Sequence, residues 1–308
     1  MPATVASMSA ASTSPNETWT TRSLLRWMTD HFEAKGVDSP RVIAEMLLAH
    51  VLECDRMRLY MEVDRSASED ERTRLRELVA RASHDEPVQY LLGEGWFFGK
   101  AFAVNPSTLI PRPATETIVE HLLQALRGEG EPDSQLIADI GTGTGCIAIS
   151  LAGLLPGAKL IATDINAEAL ELALSNAEKH EVADRVEFRR GSLLEPIADM
   201  TGDFDAICSN PPYVPDHEWD AIAANVKDYE PEAALRGGAD GLDLIRPLIR
   251  GAGALLKPGG RLYLEIATCN RDEVIKLAQL AGSYEDIEVL RDHEGLDRVL
   301  SARRVINS

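Results

Sequence analysis

Between about Glu116 and Ala267 short apolar runs alternate with helix-period segments, and no other feature narrows the fold as much. The runs are QLIADI (135–140), AKLIATD (158–164), RVEFRR (185–190), FDAICSN (204–210) and GRLYLEIA (260–267). Between them lie segments such as NAEALELALSNAEKH (166–180), whose apolar residues recur at helical spacing. Strands that alternate with helices pack as a doubly wound, mostly parallel sheet, because each crossover helix carries the chain back to begin the next strand. The fold class is therefore α/β, and ligands on such sheets bind beyond the carboxyl ends of the strands.

The segments before this sheet read differently. Residues 20–85 form a small helical domain. Leu24, Leu25, Trp27 and Met28 begin an amphipathic face that stops at Gly36, Ser39-Pro40 opens a second helix with Ser39 as its cap, and a third follows Ser68. Residues 86–113 hold WFFGKAFAV, a β-hairpin turning near Gly99-Lys100, and read as a connector. The remainder, 114–308, is the α/β domain. Residues 1–19, biased to Ser, Thr and Ala, read as a disordered tail.

Bulk properties close off several classes. The net charge of -19, from 50 acidic and 31 basic residues, argues against a stand-alone nucleic-acid binder, whose affinity comes from neutralising phosphates. Cys54, Cys146, Cys208 and Cys269 form no CxxC pair, and the seven histidines show no HxxxH or HExxH spacing, so no metal site is expected. No apolar run is long enough for a membrane span, and the N-terminus has no basic region of a secretory signal. The expected location is the cytoplasm.

The first strand of the sheet runs into Asp139-Ile140-Gly141-Thr142-Gly143-Thr144-Gly145, and the second ends at Asp164. Glycines let the backbone turn sharply and approach a ligand, and an acid at the second strand end can take both ribose hydroxyls. A dinucleotide fingerprint would need glycine where Cys146 stands. A carboxylate at Asp139 would crowd a pyrophosphate but suits a cationic amino-acid tail, so S-adenosylmethionine is the favoured ligand. After the third strand, Ser192 and Leu193 border the expected base; an ordinary loop serine and core leucine are the competing reading.

The fourth strand ends in Asn210-Pro211-Pro212-Tyr213. An amide or aromatic amine nitrogen is a poor nucleophile because its lone pair is delocalised. Two acceptors, the Asn210 side-chain oxygen and the Pro211 carbonyl, can hold such an NH2 group and turn its lone pair towards a methyl donor. Prolines fix φ and remove competing donors, and Tyr213 offers a ring face to a planar group. The chemistry needs neither a general base nor a metal.

Nearly the whole chain after the tail resembles the protein-(glutamine-N5) methyltransferases that modify peptide chain release factors. The resemblance runs through Pro87 to Gly93, Arg112-Pro113-Ala114-Thr115-Glu116 (the family's R-P-x-T-E), Asp139 to Gly145, Asn210 to Tyr213, Tyr229-Glu230-Pro231, Ala234-Leu235, Gly237-Gly238 and Asp240-Gly241-Leu242. It implies a class I methyltransferase-like sheet and a release-factor Gly-Gly-Gln loop whose glutamine amide is methylated. Asp139, Gly141, Thr142, Gly143, Thr144, Gly145, Asp164, Ile165, Ser192, Leu193 and Asn210 would hold the cofactor. Asn210, Pro211, Pro212 and Tyr213 would hold the amide, with Asn210, Pro211 and Tyr213 catalytic. Arg112 and Glu116 would lie at the mouth of the site, a salt bridge at the start of a helix being the other reading. No stable nucleic-acid or membrane partner is expected. The alternative is an amino-methyltransferase acting on a DNA or RNA base, which needs a basic groove for a flipped target; a scaffold without activity would show damage in the glycine turn or in Asn-Pro-Pro-Tyr. Two departures stand out. Ser192 replaces a frequent Asp, and Leu264-Glu265-Ile266-Ala267-Thr268-Cys269-Asn270 lacks the Gly and Gln of L-E-x-G-x-x-Q, so the resemblance does not carry the loop shape there.

Overall fold

A computed structural model describes residues 18–128 and 134–306; the expected tail lies, apart from Thr18 and Trp19, outside them. Two compact units divide between Gly93 and Glu94. The first holds α1 (Thr21–Lys35), α2 (Pro40–Val51), α3 (Arg56–Met61), α4 (Glu69–Ala82) and α5 (Val88–Leu92). Thr20 and Ser23 form a capping box at the start of α1, Ser68 and Glu71 another at α4, and Gly36 ends α1 at φ 74°. Ser39 does not cap as expected. Its side chain makes no capping bond and its φ is 52°. Pro40, lacking an N–H, itself lowers the number of helix-end donors to be satisfied. Leu24, Met28 and Phe32 of α1 bury against Leu47 and Leu48 of α2 and Leu75 and Val79 of α4. At roughly 1.5–3 kcal/mol per buried side chain, that stripe outweighs the weak intrinsic preference of helices this short.

The second unit opens with a hairpin of β1 (Glu94–Phe97) and β2 (Lys100–Ala103). Phe97 pairs with Lys100, so the loop is Phe98-Gly99, and both residues have positive φ (49° and 72°), the geometry that matches the twist of a two-residue hairpin. Then follow α6 (Glu116–Gly128), β3 (Leu136–Ile140), α7 (Cys146–Leu154), β4 (Lys159–Asp164), α8 (Ala167–Lys179), β5 (Val186–Arg190), β6 (Phe204–Ser209), α9 (Ala224–Lys227), α10 (Ile245–Leu255), β7 (Leu256–Glu265), α11 (Arg271–Ala281), β8 (Tyr284–Arg291) and β9 (Asp297–Arg304). The sheet order is β5-β4-β3-β6-β7-β9-β8, parallel except for β9 against its two neighbours. Side chains of β3 alternate between two apolar layers. Ile137 packs with α6 and α7 residues on one face, and Ala138 and Ile140 with α10 residues on the other. Among the described residues no helix is long and apolar enough to cross a membrane.

Two attachments shape the carboxyl end of this sheet. Asn176, fully buried on α8, accepts from Ala103 N (2.8 Å) and donates to Ala103 O and Thr144 O, stitching the hairpin to the glycine turn. The segment after β6 folds back on itself. Val214 N donates to Leu235 O, Gly237 N to Val214 O and Asp216 N to Gly238 O, each at 2.9 Å. Here glycine is a matter of space, since a Cβ on Gly237 would stand 2.8 Å from Pro212 O, Gly241 O and Tyr213 Cα. Gly237→Ala should therefore destabilise this unit by roughly 1–3 kcal/mol, seen as a lower urea midpoint of its unfolding transition; an unchanged midpoint would show that the strap yields at no cost.

Candidate active site

The strand order reverses between β3 and β6, and beyond their carboxyl ends lies a cavity of about 330 Å³. That volume falls in the range of small-molecule sites. Its floor is the glycine turn. Gly141 N and Thr142 N both donate to Thr163 O of β4 at 2.8 Å, which bends the chain as soon as β3 ends. Gly141 and Gly143 have φ 72° and 54°, and a Cβ added at either would meet no heavy atom within 4 Å, so the turn presents bare backbone to open space. Gly145 is different: a Cβ there would stand 2.7 Å from Ile149 Cδ1, making it a packing glycine under the first turn of α7.

Asp164 ends β4 on one wall. Its Oδ2 accepts from Gly143 N (3.0 Å) and its Oδ1 from Asn166 N (2.9 Å), which fixes the carboxylate while leaving lone pairs on both oxygens. Beside it are Ile165, Ser192 and Leu193; Ile165 is largely exposed, and Leu193 holds φ 49°, a strained value for a leucine. The opposite wall is Asn210, Pro211 and Pro212 with Arg112, Thr115 and the small residues Pro231, Ala233 and Ala234.

Of the residues singled out from sequence, the cavity brings together Arg112, Gly141, Thr142, Gly143, Thr144, Asp164, Ile165, Ser192, Leu193, Asn210, Pro211 and Pro212. Asp139, Gly145, Tyr213 and Glu116 do not line it. Asp139 is fully buried beneath the turn, where its Oδ2 accepts from Thr142 Oγ1 (2.7 Å) and Ala148 N (3.2 Å), while Oδ1 has no hydrogen-bond partner among the described residues. Glu116 accepts from Phe98 N (2.7 Å) and so sets the hairpin turn. Arg112 pairs not with Glu116 but with Glu230, which also accepts from Ile110 N (3.0 Å). Tyr213 donates its phenol to Glu265 Oε1 (2.9 Å), and Thr115 donates to Glu265 Oε2 (2.6 Å) while accepting from Asn210 Nδ2 (3.0 Å). Burial pushes both the Glu265 carboxyl and the Tyr213 phenol above their ordinary values.

Thr115, Glu230 and Glu265 stand in motifs quoted from the sequence, but motif reading gave them no role. One signal was present: GRLYLEIA places a lone acid inside an otherwise apolar strand end, and a buried carboxylate has to be met by donors. The departure after β7 also resolves here. Ala267 has φ -67°, so nothing at that position demands glycine, and Asn270 Nδ2 donates to Asp240 O (2.9 Å), holding the strap with a shorter side chain than glutamine.

The family described as PrmC N-terminal domain matches residues 23–93, and that described as methyltransferase small domain matches residues 113–228. A release factor glutamine methyltransferase of Rhodopirellula baltica is 38% identical over 296 residues, covering 96% of this chain and 99% of the relative. The protein of the same name from Geobacter sulfurreducens is 40% identical over 287 residues, covering 93% and 98%. Among solved structures, the hMettl16 catalytic domain in complex with a MAT2A 3′UTR hairpin covers 80% of this chain and 86% of its own, with a TM-score of 0.54 at 15% identity, a likeness of fold alone.

The buried Asp139 has a measurable signature. Its carboxyl is pushed up to about 6 from 3.8, chiefly by burial, with the charge of Asp164 adding to it. A folded-state value above the unfolded one means that its contribution to stability is complete below the unfolded value and is lost as pH rises through about 6. Asp139→Asn removes this titration. Relative to the parent, the variant should gain on the order of 2–3 kcal/mol in unfolding free energy between pH 4 and pH 8; parallel stability curves across that interval would show that Asp139 does not titrate there.

Proposed function

The chain belongs to the release factor glutamine methyltransferase family, and from that premise we propose that it transfers a methyl group from S-adenosylmethionine to the side-chain amide nitrogen of the glutamine in the Gly-Gly-Gln motif of peptide chain release factors. The observation that carries this reading is the orientation of Asn210. Its Nδ2 is engaged by Thr115, so the carboxamide oxygen is the atom turned to the cavity that Asn210 and Pro211 line.

The residues present fit the methyl donor. The carboxylate of Asp164 keeps lone pairs for two ribose hydroxyls, Gly141 and Gly143 leave the floor open to close approach, and Ile165 and Leu193 offer apolar faces to a base. Asp139, beneath the turn, supports the floor, and Glu116 supports the hairpin at its side. S-adenosylmethionine, when bound, would supply an electrophilic methyl group to the amide nitrogen, the electron pair of the C–S bond staying on sulfur and one N–H proton passing to water. The protein's part is placement. Asn210 Oδ1 and the Pro211 carbonyl accept the two N–H bonds of the substrate amide, turn its lone pair towards the methyl donor, and stabilise the positive charge that grows on nitrogen. Pro211 and Pro212 hold those acceptors stiffly. The low wall of Pro231, Ala233 and Ala234 leaves room for a loop whose residues beside the glutamine are glycines. The partner is then a translation factor and the compartment the cytoplasm.

Labelled S-adenosylmethionine incubated with a release factor, with its Gln→Ala version in the Gly-Gly-Gln loop, and with duplex DNA and structured RNA should mark only the intact factor; label on either nucleic acid instead would overturn the reading. Asn210→Ala should lower kcat at least about tenfold, the loss typical of one oriented polar group, while calorimetry finds cofactor affinity retained. Parallel loss of both would move Asn210 from the amide to the cofactor.

A further inference from the structure

Three segments that are distant in sequence meet behind Asn210: Thr115 before α6, Tyr213 after β6 and Glu265 at the end of β7, the last 150 residues from Thr115. Glu265 is 1% exposed and Thr115 2% exposed. A hydroxyl has one proton. Thr115 directs its proton to Glu265 Oε2, so towards Asn210 it can only accept, and the carboxamide must present Nδ2 to it. The polarity of the chain Glu265–Thr115–Asn210 therefore decides which end of the Asn210 side chain looks into the cavity.

We propose that Thr115 and Glu265 are positioning residues that hold Asn210 with its oxygen, not its NH2 group, facing the substrate. The inference rests on the amide-methylating reading of the site. Run in reverse, with a donor at position 265, the chain would turn the Thr115 proton towards Asn210 and flip the carboxamide. The substrate NH2 would then meet another NH2, losing one of its two acceptors. The glutamate at this position is thus chosen for its inability, as a carboxylate, to donate.

The groups that face Glu265 are Tyr213 from the segment after β6, Arg112 from the segment before α6, Arg298 from β9, and the Cys146 thiol at the start of α7, which feels its charge. Burial raises the Glu265 carboxyl, and the two hydroxyl donors and two guanidinium groups oppose that rise without cancelling it. Protonation supplies the donor that reverses the chain, so activity falls as pH drops through a carboxyl that titrates above the ordinary glutamate range.

The test uses the full-length protein with an intact release factor, and measures kcat, KM, their pH dependence, cofactor affinity and melting temperature. Glu265→Gln replaces an obligate acceptor by a carboxamide with one oxygen and one donating NH2, where Thr115 and Tyr213 donate to two oxygens. It should lower kcat about tenfold or more with cofactor affinity within about twofold of the parent, and its residual rate should be flat across the acid limb where the parent falls. Thr115→Val should lose a similar factor, and Thr115→Ser, which restores the hydroxyl, should stay within about threefold of the parent. An unchanged acid limb in Glu265→Gln would overturn the proposal, as would a Thr115→Ser rate as low as that of Thr115→Val, or loss of cofactor affinity in step with rate. If Glu265→Gln does not fold, the comparison of serine with valine at 115 still decides. A parent enzyme that leaves the release factor unlabelled fails on different grounds, since then the proposed reaction itself is wrong and this inference falls with it.

Discussion

The chain leaves β3 and β6 towards opposite faces of the sheet. From β3 it enters α7, which packs in the layer with α6, and from β6 it passes through the strap to α10 in the other layer. Two adjacent parallel strands whose continuations part in this way open a crevice that neither segment fills. Everything chemical in the molecule follows from that parting. The glycine turn forms one lip, Asn-Pro-Pro the other, and Asp164 closes the side because β4 neighbours β3. The seven-stranded order thus decides which residues can meet, and the motifs decide what they do once they have met.

Behind the lining of the crevice stand polar groups that the apolar layers would reject if they stood alone. Asp139, Asn176, Glu230 and Glu265 are all buried; one oxygen of Asp139 is met by the turn and α7 that follow it, and the other three residues are answered by backbone N–H groups, hydroxyls or a guanidinium drawn from distant segments. Such groups cost free energy when unpaired and rigidify their surroundings when satisfied. Their distribution is informative: Asp139 and Glu265 sit in strands near their carboxyl ends, Asn176 on α8 and Glu230 in the segment after α9, and together they tie the hairpin, the R-P-x-T-E segment and the strap to the sheet. Precision at the reacting centre is bought by polar bonds where a purely apolar wall would leave the loops free to slide.

Much of this was legible in the residues. The five apolar runs are strands, and the fold class, the hairpin and the adjacency of the glycine turn, Asp164 and Asn210 follow from alternation and from the general rule for ligand positions on parallel sheets. The antiparallel pair β8 and β9 gave little warning, because β8 alternates buried Tyr284 with charged and exposed residues and lacks a continuous apolar run. The short helices α3 and α5 escaped for want of two full turns of periodicity. At the site, the lining residues could be read but their supports could not. Thr115 lies 95 residues from Asn210, and Glu230 lies 118 from Arg112. No local pattern announces pairs at that separation; they exist only once the sheet has brought strand ends together. The same blindness sent Asp139 to the ligand in prospect and beneath the floor in the folded chain, since a carboxylate two residues before a glycine turn can face either way.

The strap after Asn-Pro-Pro-Tyr is zipped at its base by main-chain bonds from Val214, Asp216 and Gly237, with Gly237 pressed against Pro212. An arch closed in this way separates its foot from its crown. The stretch from His217 to Asp228 lies in the crown, and it returns to the site through Glu230, whose N–H donates to Val226 O and whose carboxylate holds Arg112. At the foot, by contrast, heredity has little latitude, since Gly237 leaves no room for a Cβ beside Pro212.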